Sequence, residues 1–381
     1  MITDRRTLLG GVAALGLAGC ANGRPRAAGF ARPALVPLRM AVERLTHITV
    51  CLRPFRAAGP RLDVETIGEK RIVHNYGHGG SGWSLSWGSA AIAAQNALAD
   101  GQRDIAVIGC GAIGITTAIT LQRAGARVVI HARERLPQSR SARATGTWSP
   151  DSRIADAAAI SPMFPALWEA MARTSYAAHR SYVGLAGDPV SWSDRFTILD
   201  APGPRPARAR GAIDFAEFRN RLDDIVPRSR PLSRGEHPFP AENVRLGTSM
   251  QFNVAALGER LIDEYLREGG RIEPADFASP ADFARLPQKV IVNCTGYGAR
   301  ALLGDNSIIP VRGQIAWLAP QPEVNYGVYY RSVSVLPRPD GIVVQYVGES
   351  DMFGVGMDNE SPDHAEAERA IATMAPLFNR A

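Results

Sequence analysis

Residues 104–131 read DIAVIGCGAIGITTAITLQRAGARVVIH, the strongest structural signal in the chain. Residues 104–108 are apolar and partly β-branched, as in a buried parallel strand, and residues 127–131 repeat the pattern. Between them, three glycines spaced as GxGxxG precede a helix predicted over 112–124, which Gly125 ends. A strand, a glycine turn, a helix and a second strand in this order predict a βαβ unit.

Each glycine of this turn has a physical reason to be there. Gly109 permits the tight turn, Gly111 lets a pyrophosphate approach the backbone, and Gly114 lets the helix pack on the strand. The helix opens at Ala112 and Ile113, where unpaired N–H groups and the positive end of the helix dipole attract phosphate. The pattern predicts a dinucleotide site, with a purely structural glycine turn as the alternative.

The end of the second predicted strand carries a candidate ribose contact. Glu134 follows Gly114 at about the distance, roughly 20 residues, at which a carboxylate accepts hydrogen bonds from the ribose of adenosine. Arg133 beside it leaves an NADP-type site open as an alternative.

The N-terminus has the features of an export signal. Arg5 and Arg6 precede an apolar, small-residue stretch over 8–19, which is too short for an ordinary transmembrane span. The arginine pair resembles a twin-arginine signal, and the LAGC that ends at Cys20 resembles a lipobox. These features imply cleavage before Cys20, a lipid on its thiol and a periplasmic, membrane-tethered protein. An uncleaved N-terminal anchor is the alternative.

Composition bounds the functional class. The chain has 381 residues, 45% of them hydrophobic and 21% charged, which suits two interleaved domains. Its net charge is +6, but the basic residues are scattered and not interleaved with aromatic ones, so we expect no nucleic-acid partner. The four cysteines show no CxxC or other metal-type spacing, so we expect no metal site.

Five further motifs carry a resemblance to a known family. They are LRPFR (52–56), HNYGHGGSGWSLSWGSA (74–90), ATGTWSP (144–150), VIVNCTG (290–296) and RGQ (312–314). Together with the glycine turn they resemble the hallmarks of the D-amino-acid oxidase family, and HNYGHGG is rare outside it. The likeness covers nearly the whole chain after about residue 45, except for 150–250, where general helix and strand patterns alone match.

The order of these motifs differs from that of the family. There, the RPxR strand and the HNYGHGG loop come last, after the substrate domain, whereas here they precede the strand at 104. The chain ends in a helix that, in the family, leads into the RPxR strand. The resemblance therefore implies a circular permutation, which is tolerable when the old termini lie close together. A rearranged or misassembled reading frame is the alternative.

The resemblance implies an α/β fold with two parts. One is a doubly wound, Rossmann-type FAD-binding domain over 45–150 and 275–315, in which the permuted segment 45–100 precedes the Rossmann strand. The other is an interleaved α+β substrate domain built on a mixed or antiparallel sheet. The remaining boundaries that we expect are an export signal over 1–20, a flexible linker over 21–44, and the substrate domain over 151–274 and 316–381.

Further FAD contacts are implied where the motifs match residue by residue. One loop wraps the pyrophosphate and the flavin, a second loop contacts FAD after a buried strand, and a third lies against the flavin ring. The helix after that third loop is placed to stabilise negative charge on reduced flavin. The matching positions are Ser139, Arg140, Ser141, Thr145, Gly146 and Thr147; then Thr295 and Gly296; then Gly79, Gly80, Ser81, Gly82, Trp83 and Ser84.

Three positions match substrate contacts of the family. Arg53 matches an arginine that clamps the substrate carboxylate, because a planar guanidinium grips both oxygens at once. A surface salt bridge is the alternative for Arg53. The carbonyl of Gly80 would accept a hydrogen bond from the substrate amine. Tyr330 matches a tyrosine on the active-site lid, with a core or rim tyrosine as the alternative.

The chain departs from the family at the substrate. The family's second substrate tyrosine aligns with Ser334, and the usual Leu-Gly-Gly is replaced near 343–345. Tyr329 or Tyr346 would have to compensate. The departure leaves the FAD site intact and the choice of substrate open.

The reaction that the resemblance implies is oxidation of a small-molecule D-amino acid to an imino acid, which hydrolyses to a 2-oxo acid and ammonia. The α-hydrogen leaves as hydride to flavin N5, and O2 is the implied acceptor, with a quinone as the alternative. Three other functions stay open: an oxidase or dehydrogenase for glycine, N-methyl amino acids or D-aspartate; a non-catalytic FAD-binding lipoprotein; and an NAD-type enzyme.

Overall fold

The structure, a computed structural model, describes residues 35–199 and 211–378. The predicted export signal and Cys20 lie outside these residues. The chain divides into Met1–Val36 and a second unit, Pro37–Ala381, whose fold is described below. Within the described ranges, we find no helix with the length and apolar character needed to cross a membrane.

Six strands form a mostly parallel sheet that contains the glycine turn. In spatial order they are β2 (Val64–Ile67), β3 (Lys70–His74), β10 (Val290–Asn293), β4 (Asp104–Cys110), β5 (Arg127–Arg135) and β9 (Arg271–Pro274). Strand β2 is antiparallel to β3 at one edge, and the other neighbours are parallel. The βαβ unit predicted from the sequence therefore lies within the sheet, beside β10.

Both faces of this sheet are buried at its centre, which explains why the central strands β4 and β10 are mostly apolar. In β4, Ile105 and Val107 join one hydrophobic cluster, whereas Ala106 and Ile108 join another on the opposite face. The helices are α1 (Gly82–Leu98), α2 (Ala112–Arg123), α3 (Phe164–Arg180), α4 (Val254–Arg267), α5 (Ala299–Leu303) and α6 (His364–Met374). Helices α1 and α2 contribute to the first cluster and α5 to the second, so the α/β class predicted from the sequence is confirmed.

Eight strands form a second, mixed sheet. In spatial order they are β1 (Leu45–Arg56), β11 (Ile308–Leu318), β14 (Gly341–Tyr346), β13 (Val333–Arg338), β12 (Tyr326–Tyr330), β6 (Val190–Leu199), β8 (Asn243–Phe252) and β7 (Arg230–Leu232). Neighbours are antiparallel except β12 and β6, which are parallel. A mixed sheet matches the expected character of the substrate domain.

Three strands belong to a different sheet from the one expected for their domain. Strands β1 and β11, expected with the FAD-binding domain, pair with each other in the eight-stranded sheet, where Arg53 lies opposite Val311. Strand β9, expected with the substrate domain, pairs with β5 in the six-stranded sheet. The physical reason is that the long strands β1 and β11 pair along their whole length, so both belong to the same sheet. The division of the chain into two domains stays a prediction.

Candidate active site

A cavity of about 850 Å³ runs from the carboxyl ends of the parallel strands to one face of the eight-stranded sheet. Its walls include the residues that follow β3, β4, β5 and β10, and side chains of β1, β11 and β14. In open α/β sheets, the carboxyl ends of the strands are where ligands bind. Every predicted cofactor contact lines this cavity except Gly114 and Ser81.

The glycine turn has the close packing that the sequence predicts. Gly109 has φ of 103°, and a Cβ atom there would lie 2.6 Å from the carbonyl oxygen of Cys294. A Cβ at Gly114 would overlap the carbonyl oxygen of Gly109, so this glycine serves helix packing rather than ligand contact. Gly111 lines the cavity, and α2 begins beside it, where the N–H of Ala112 donates to the Ser141 Oγ. The positive end of the helix dipole here suits an anionic phosphate.

The cavity extends to the exposed end of β5, where the sequence predicts the ribose. Arg133 and Glu134 both line it there. The buried ring of His131 lines it too, and its Nε2 atom has no hydrogen-bond partner among the described residues. Residues 275–278 complete this wall. Sequence reasoning missed His131 and residues 275–278, although His131 lies in the second strand of the βαβ motif.

The 74–84 segment forms the wall opposite the glycine turn. The N–H of Gly79 donates to the carbonyl of Pro54 and the N–H of Gly80 to that of Ser152, each at 2.9 Å. A Cβ at Gly80 would lie 2.5 Å from the Ser152 Oγ, which explains why only glycine fits. The Ser81 hydroxyl is turned away and donates to the Ser152 carbonyl at 3.2 Å. The N-terminal residues of α1 then face the cavity, as the sequence predicts.

The other predicted loops are held against the same cavity by hydrogen bonds. The Ser141 Oγ accepts from the N–H of Ala112 at 3.0 Å, and the Trp83 indole donates to the carbonyl of Ser141 at 2.8 Å. The carbonyl of Gly146 accepts from Phe252 at 2.6 Å. The Thr295 hydroxyl donates to the side chain of Asn293 at 2.8 Å.

Several buried polar atoms around the cavity have no hydrogen-bond partner in the described part of the chain. They are the Oγ of Ser139, the Nε of Arg140, the Nε2 of His78 and the Nε2 of His131. Burial lowers the pKa of His78 to about 3, so its ring is neutral. Because buried polar groups normally have partners, these atoms indicate a polar ligand that is large enough to reach them all.

Arg53 brings an unneutralised positive charge to the cavity. Its guanidinium packs against the backbone of Gly313, where a Cβ atom would overlap it. No described residue forms an ion pair or hydrogen bond with it, and burial lowers its pKa. The strand places Cys51 on the same face and also against the cavity. The structure thus brings Arg53 and the glycine turn to one cavity, as predicted.

Strand pairing places Tyr329 of β12, rather than the predicted Tyr330, on the cavity face of the eight-stranded sheet. Ser334 of β13 pairs with Tyr329 on one side and with Gln345 on the other, and Gln345 lines the cavity. Directly paired residues project from the same face of a sheet, so Tyr329 lies on the cavity face. Tyr330 pairs with Val333 and lies on the opposite face. Tyr346 also lies on that opposite face, so Tyr329 is the one of these three tyrosines that shares the face of Ser334, and a substrate role for Tyr330 stays a prediction.

Comparison with known proteins identifies the family. The family model described as DAO, FAD dependent oxidoreductase, matches residues 104–381. The chain belongs to this family. It is an enzyme, an amino acid oxidoreductase, and its cofactor is FAD. The segment 45–103 precedes the match, although it supplies Arg53 and the loop beside Gly80 to the cavity.

Two D-amino-acid oxidases are among the similar proteins. That of Rubrobacter xylanophilus is 30% identical over 282 residues, which are 72% of this chain and 77% of the relative. That of Streptomyces coelicolor is 30% identical over 274 residues, 68% of this chain and 75% of the relative. Among solved structures, L-amino acid deaminase from Proteus vulgaris is 17% identical with a TM-score of 0.41, over 64% of this chain and 60% of that chain.

FAD fits the cavity of this DAO-family oxidoreductase. The N-terminus of α2 suits its pyrophosphate, Glu134 its ribose, and the loop at 79–84 its flavin ring. The orphaned atoms of His78, Ser139 and Arg140 line the same path. Sequence reasoning missed the floor that the eight-stranded sheet supplies, because the partners of a strand cannot be read from its own residues. That floor consists of Cys51, Gly313, Ile315 and Gln345.

Proposed function

We propose that this protein catalyses the FAD-dependent oxidative deamination of D-amino acids to 2-oxo acids. The observation that carries the proposal is the unpaired Arg53 guanidinium in the same cavity as the glycine turn. A buried cation without a partner is costly, and a substrate carboxylate would neutralise it. The two relatives described as D-amino-acid oxidases support the same substrate class.

The residues of this chain bind and orient the substrate rather than abstract a proton. Arg53 grips the α-carboxylate through two parallel N–H···O bonds, which fixes the α-carbon. The Gly80 carbonyl accepts from the neutral amine, whose lone pair assists departure of the α-hydrogen with its electron pair. When bound, FAD supplies the acceptor for that hydride. The substrate thereby loses two electrons and two protons to become an imino acid, and water converts it to a 2-oxo acid and ammonia.

The electron acceptor that we propose is O2, which takes the two electrons and two protons and leaves as hydrogen peroxide. The names of the relatives support an oxidase. Peroxide formed in air, measured with a coupled peroxidase, is expected at one equivalent per amino acid oxidised. Turnover that needs an added quinone and yields no peroxide would reverse this assignment.

The deciding experiment is the visible spectrum of the purified holoenzyme with air excluded. We expect D-amino acids to bleach the flavin absorbance and their L-enantiomers to leave it unchanged. The L-enantiomers are matched controls because they carry the same charges and side chains. A protein that binds FAD but is bleached by no D-amino acid would be a binding protein, and the proposal would be wrong.

We propose further that the protein is exported and tethered through a lipid on Cys20, on the strength of the N-terminal sequence alone. Cys20→Ser is expected to move the protein from the membrane fraction of its host to the soluble fraction. An unchanged distribution, or a mature chain that still contains residues 1–19, would overturn this proposal.

A further inference from the structure

Arg195 places a second guanidinium on the cavity face of the eight-stranded sheet. It pairs with Gly327 in the parallel ladder between β6 and β12, two residues before Thr197 pairs with Tyr329. Residues two apart in a strand share a face, so Arg195 and Tyr329 project from the same side. Tyr329 pairs with Ser334, and Ser334 pairs with Gln345, so these three side chains project from the same face of the sheet. Gln345 lines the cavity.

The guanidinium of Arg195 reaches back along this face. Its Nη2 atom donates to the Ser334 Oγ at 2.8 Å, across two strands. Ser334 is the position where the family resemblance expects the second substrate tyrosine. A serine is smaller than a tyrosine, and here its hydroxyl accepts the hydrogen bond from the Arg195 guanidinium. The departure noted in the sequence thus replaces a neutral hydroxyl at the substrate with a cation.

No described carboxylate neutralises Arg195. Its one described hydrogen bond is to the neutral Ser334, and another cation, Arg219, acts on it. Burial and Arg219 both lower its pKa, and Tyr329 opposes them. A half-buried guanidinium without a carboxylate partner loses part of its hydration without compensation. The uncompensated charge therefore points to an anionic ligand.

A third cation makes the positive potential of this region stronger. Arg153 lies over the ring of Phe215 at 5.7 Å, and Phe215 contacts Phe55, two residues after Arg53. Burial and the charge of Arg53 lower the pKa of Arg153 to about 10. Its one described hydrogen bond is from Nε to the backbone carbonyl of Asp351, at 3.2 Å. One α-carboxylate cannot compensate several guanidinium groups.

The spacing of the two sheet-borne cations suits a ligand with two acidic groups. The Arg53 guanidinium lies beside β11 and the Arg195 tip beside β13, two strands away, which corresponds to about 10 Å measured across the strands. A carboxylate bound to each guanidinium at an N–O distance of about 2.8 Å leaves a gap of a few bonds between the carboxylates. A monocarboxylic substrate can reach one of the two cations but not both.

We infer that Arg195, steadied by Ser334, binds a second acidic group of the substrate, so that the enzyme prefers D-amino acids with an acidic side chain. This inference rests on the proposed oxidation of D-amino acids. It assigns Arg53 to the α-carboxylate and Arg195 to the side-chain carboxylate. On this inference, the serine at position 334 holds the Arg195 guanidinium in place and thereby gives the enzyme its specificity for acidic side chains.

Kinetics with isosteric pairs test the inference. D-glutamate and D-aspartate are compared with D-glutamine and D-asparagine, which differ in one charge. The wild-type enzyme is expected to have the higher kcat/KM with the acids. Arg195→Gln should lower kcat/KM for the acids by roughly 10- to 100-fold, the range for a charged hydrogen bond, and leave the amides within about threefold. Arg267→Gln, at an exposed position of α4, is the control for loss of one charge.

A second variant tests the same inference while keeping the Arg195 side chain. Ser334→Tyr restores the ring of the family and displaces the guanidinium tip. It is expected to lower the preference for acids over amides in the same direction. Retention of bound FAD shows that each variant is folded.

Binding of non-oxidisable acids separates the two proposals. By calorimetry, glutarate is expected to bind the wild-type holoenzyme at least tenfold more tightly than butyrate, and Arg195→Gln should remove the difference. If the flavin is reduced by neutral D-amino acids as well as or better than by acidic ones, the inference is wrong while the proposed function stands. Equal losses for acids and amides in Arg195→Gln would also overturn it. If no D-amino acid reduces the flavin, the proposed function fails, and the glutarate comparison still tests Arg195.

Discussion

Arg53 has a charge that costs stability and is expected to contribute to catalysis. Because it is half-buried and unpaired in the described structure, Arg53→Met should lower kcat/KM for the best D-amino acid by about 10²- to 10³-fold, the range for one partner of a desolvated charge pair. The same variant should leave the thermal stability of the apoprotein unchanged or raised, since a desolvated cation is removed. Steady-state kinetics and thermal unfolding measure both. Arg267→Met serves as the control, and unchanged kinetics in Arg53→Met would remove Arg53 from the site.

A substitution at Gly114 tests whether FAD binding depends on the close packing of the glycine turn. Gly114→Ala puts a Cβ on the carbonyl oxygen of Gly109, so helix α2 must move away from β4. We expect weaker FAD binding and a lower unfolding temperature, because the helix N-terminus shifts from the phosphates. Gly235→Ala is the matched control, since nothing lies within 4 Å of a Cβ there. FAD affinity is measured by flavin fluorescence, and equal affinities in the two variants would contradict the role of Gly114.

The hairpin between β12 and β13 decides which side chains reach the cavity. Its turn consists of Arg331 and Ser332, with φ of 44° and 59°. Two left-handed residues are typical of a two-residue type I′ hairpin, which pairs Tyr330 with Val333 and therefore Tyr329 with Ser334. We expect Tyr329→Phe to change KM for the substrate severalfold and Tyr330→Phe to leave it unchanged. The reverse outcome would show that the strand faces are assigned wrongly.

The turn and the hairpin show what the sequence could and could not predict. The glycine turn was predictable because its glycine spacing lies within one βαβ unit, although Gly109 also packs against Cys294, which follows β10. The hairpin was not, because Arg-Ser lacks the Asn-Gly or Asp-Gly signature of a type I′ turn, and a shift of one residue exchanges the faces.

Long-range pairing explains the other differences between the prediction and the structure. The LRPFR motif at 52–56 implied a strand, which the structure extends to Leu45–Arg56, but its residues do not indicate that β11 is its partner. The role inferred for Arg195 could not be predicted for a similar reason, because its contact with Ser334 joins residues 139 positions apart in the sequence. The resemblance pointed to position 334 but not to the side chain that fills it.

The segment that precedes the family match is integrated into both sheets. Strand β1 pairs with β11, and β3 pairs in parallel with β10. Helix α6, near the end of the described chain, contacts the turn at Val42–Arg44, just before β1. The start and the end of the folded unit are therefore neighbours in space. Their proximity supports the circular permutation that the motif order implies.

A chain with the family's motif order tests the permutation. It begins at Arg103, continues to Phe378, and joins through a short Gly-Ser linker to Leu38 and on to Gln102. The new break falls in the exposed turn between α1 and β4, where a cut removes few contacts. We expect this chain to fold, bind FAD and unfold within a few degrees of the original. A control chain with the same linker but opened between Ser84 and Leu85, inside the buried α1, should lose FAD binding, because the cut separates the flavin loop from its helix. If the reordered chain is insoluble while the control folds, the order of the motifs does not arise from permutation of one fold.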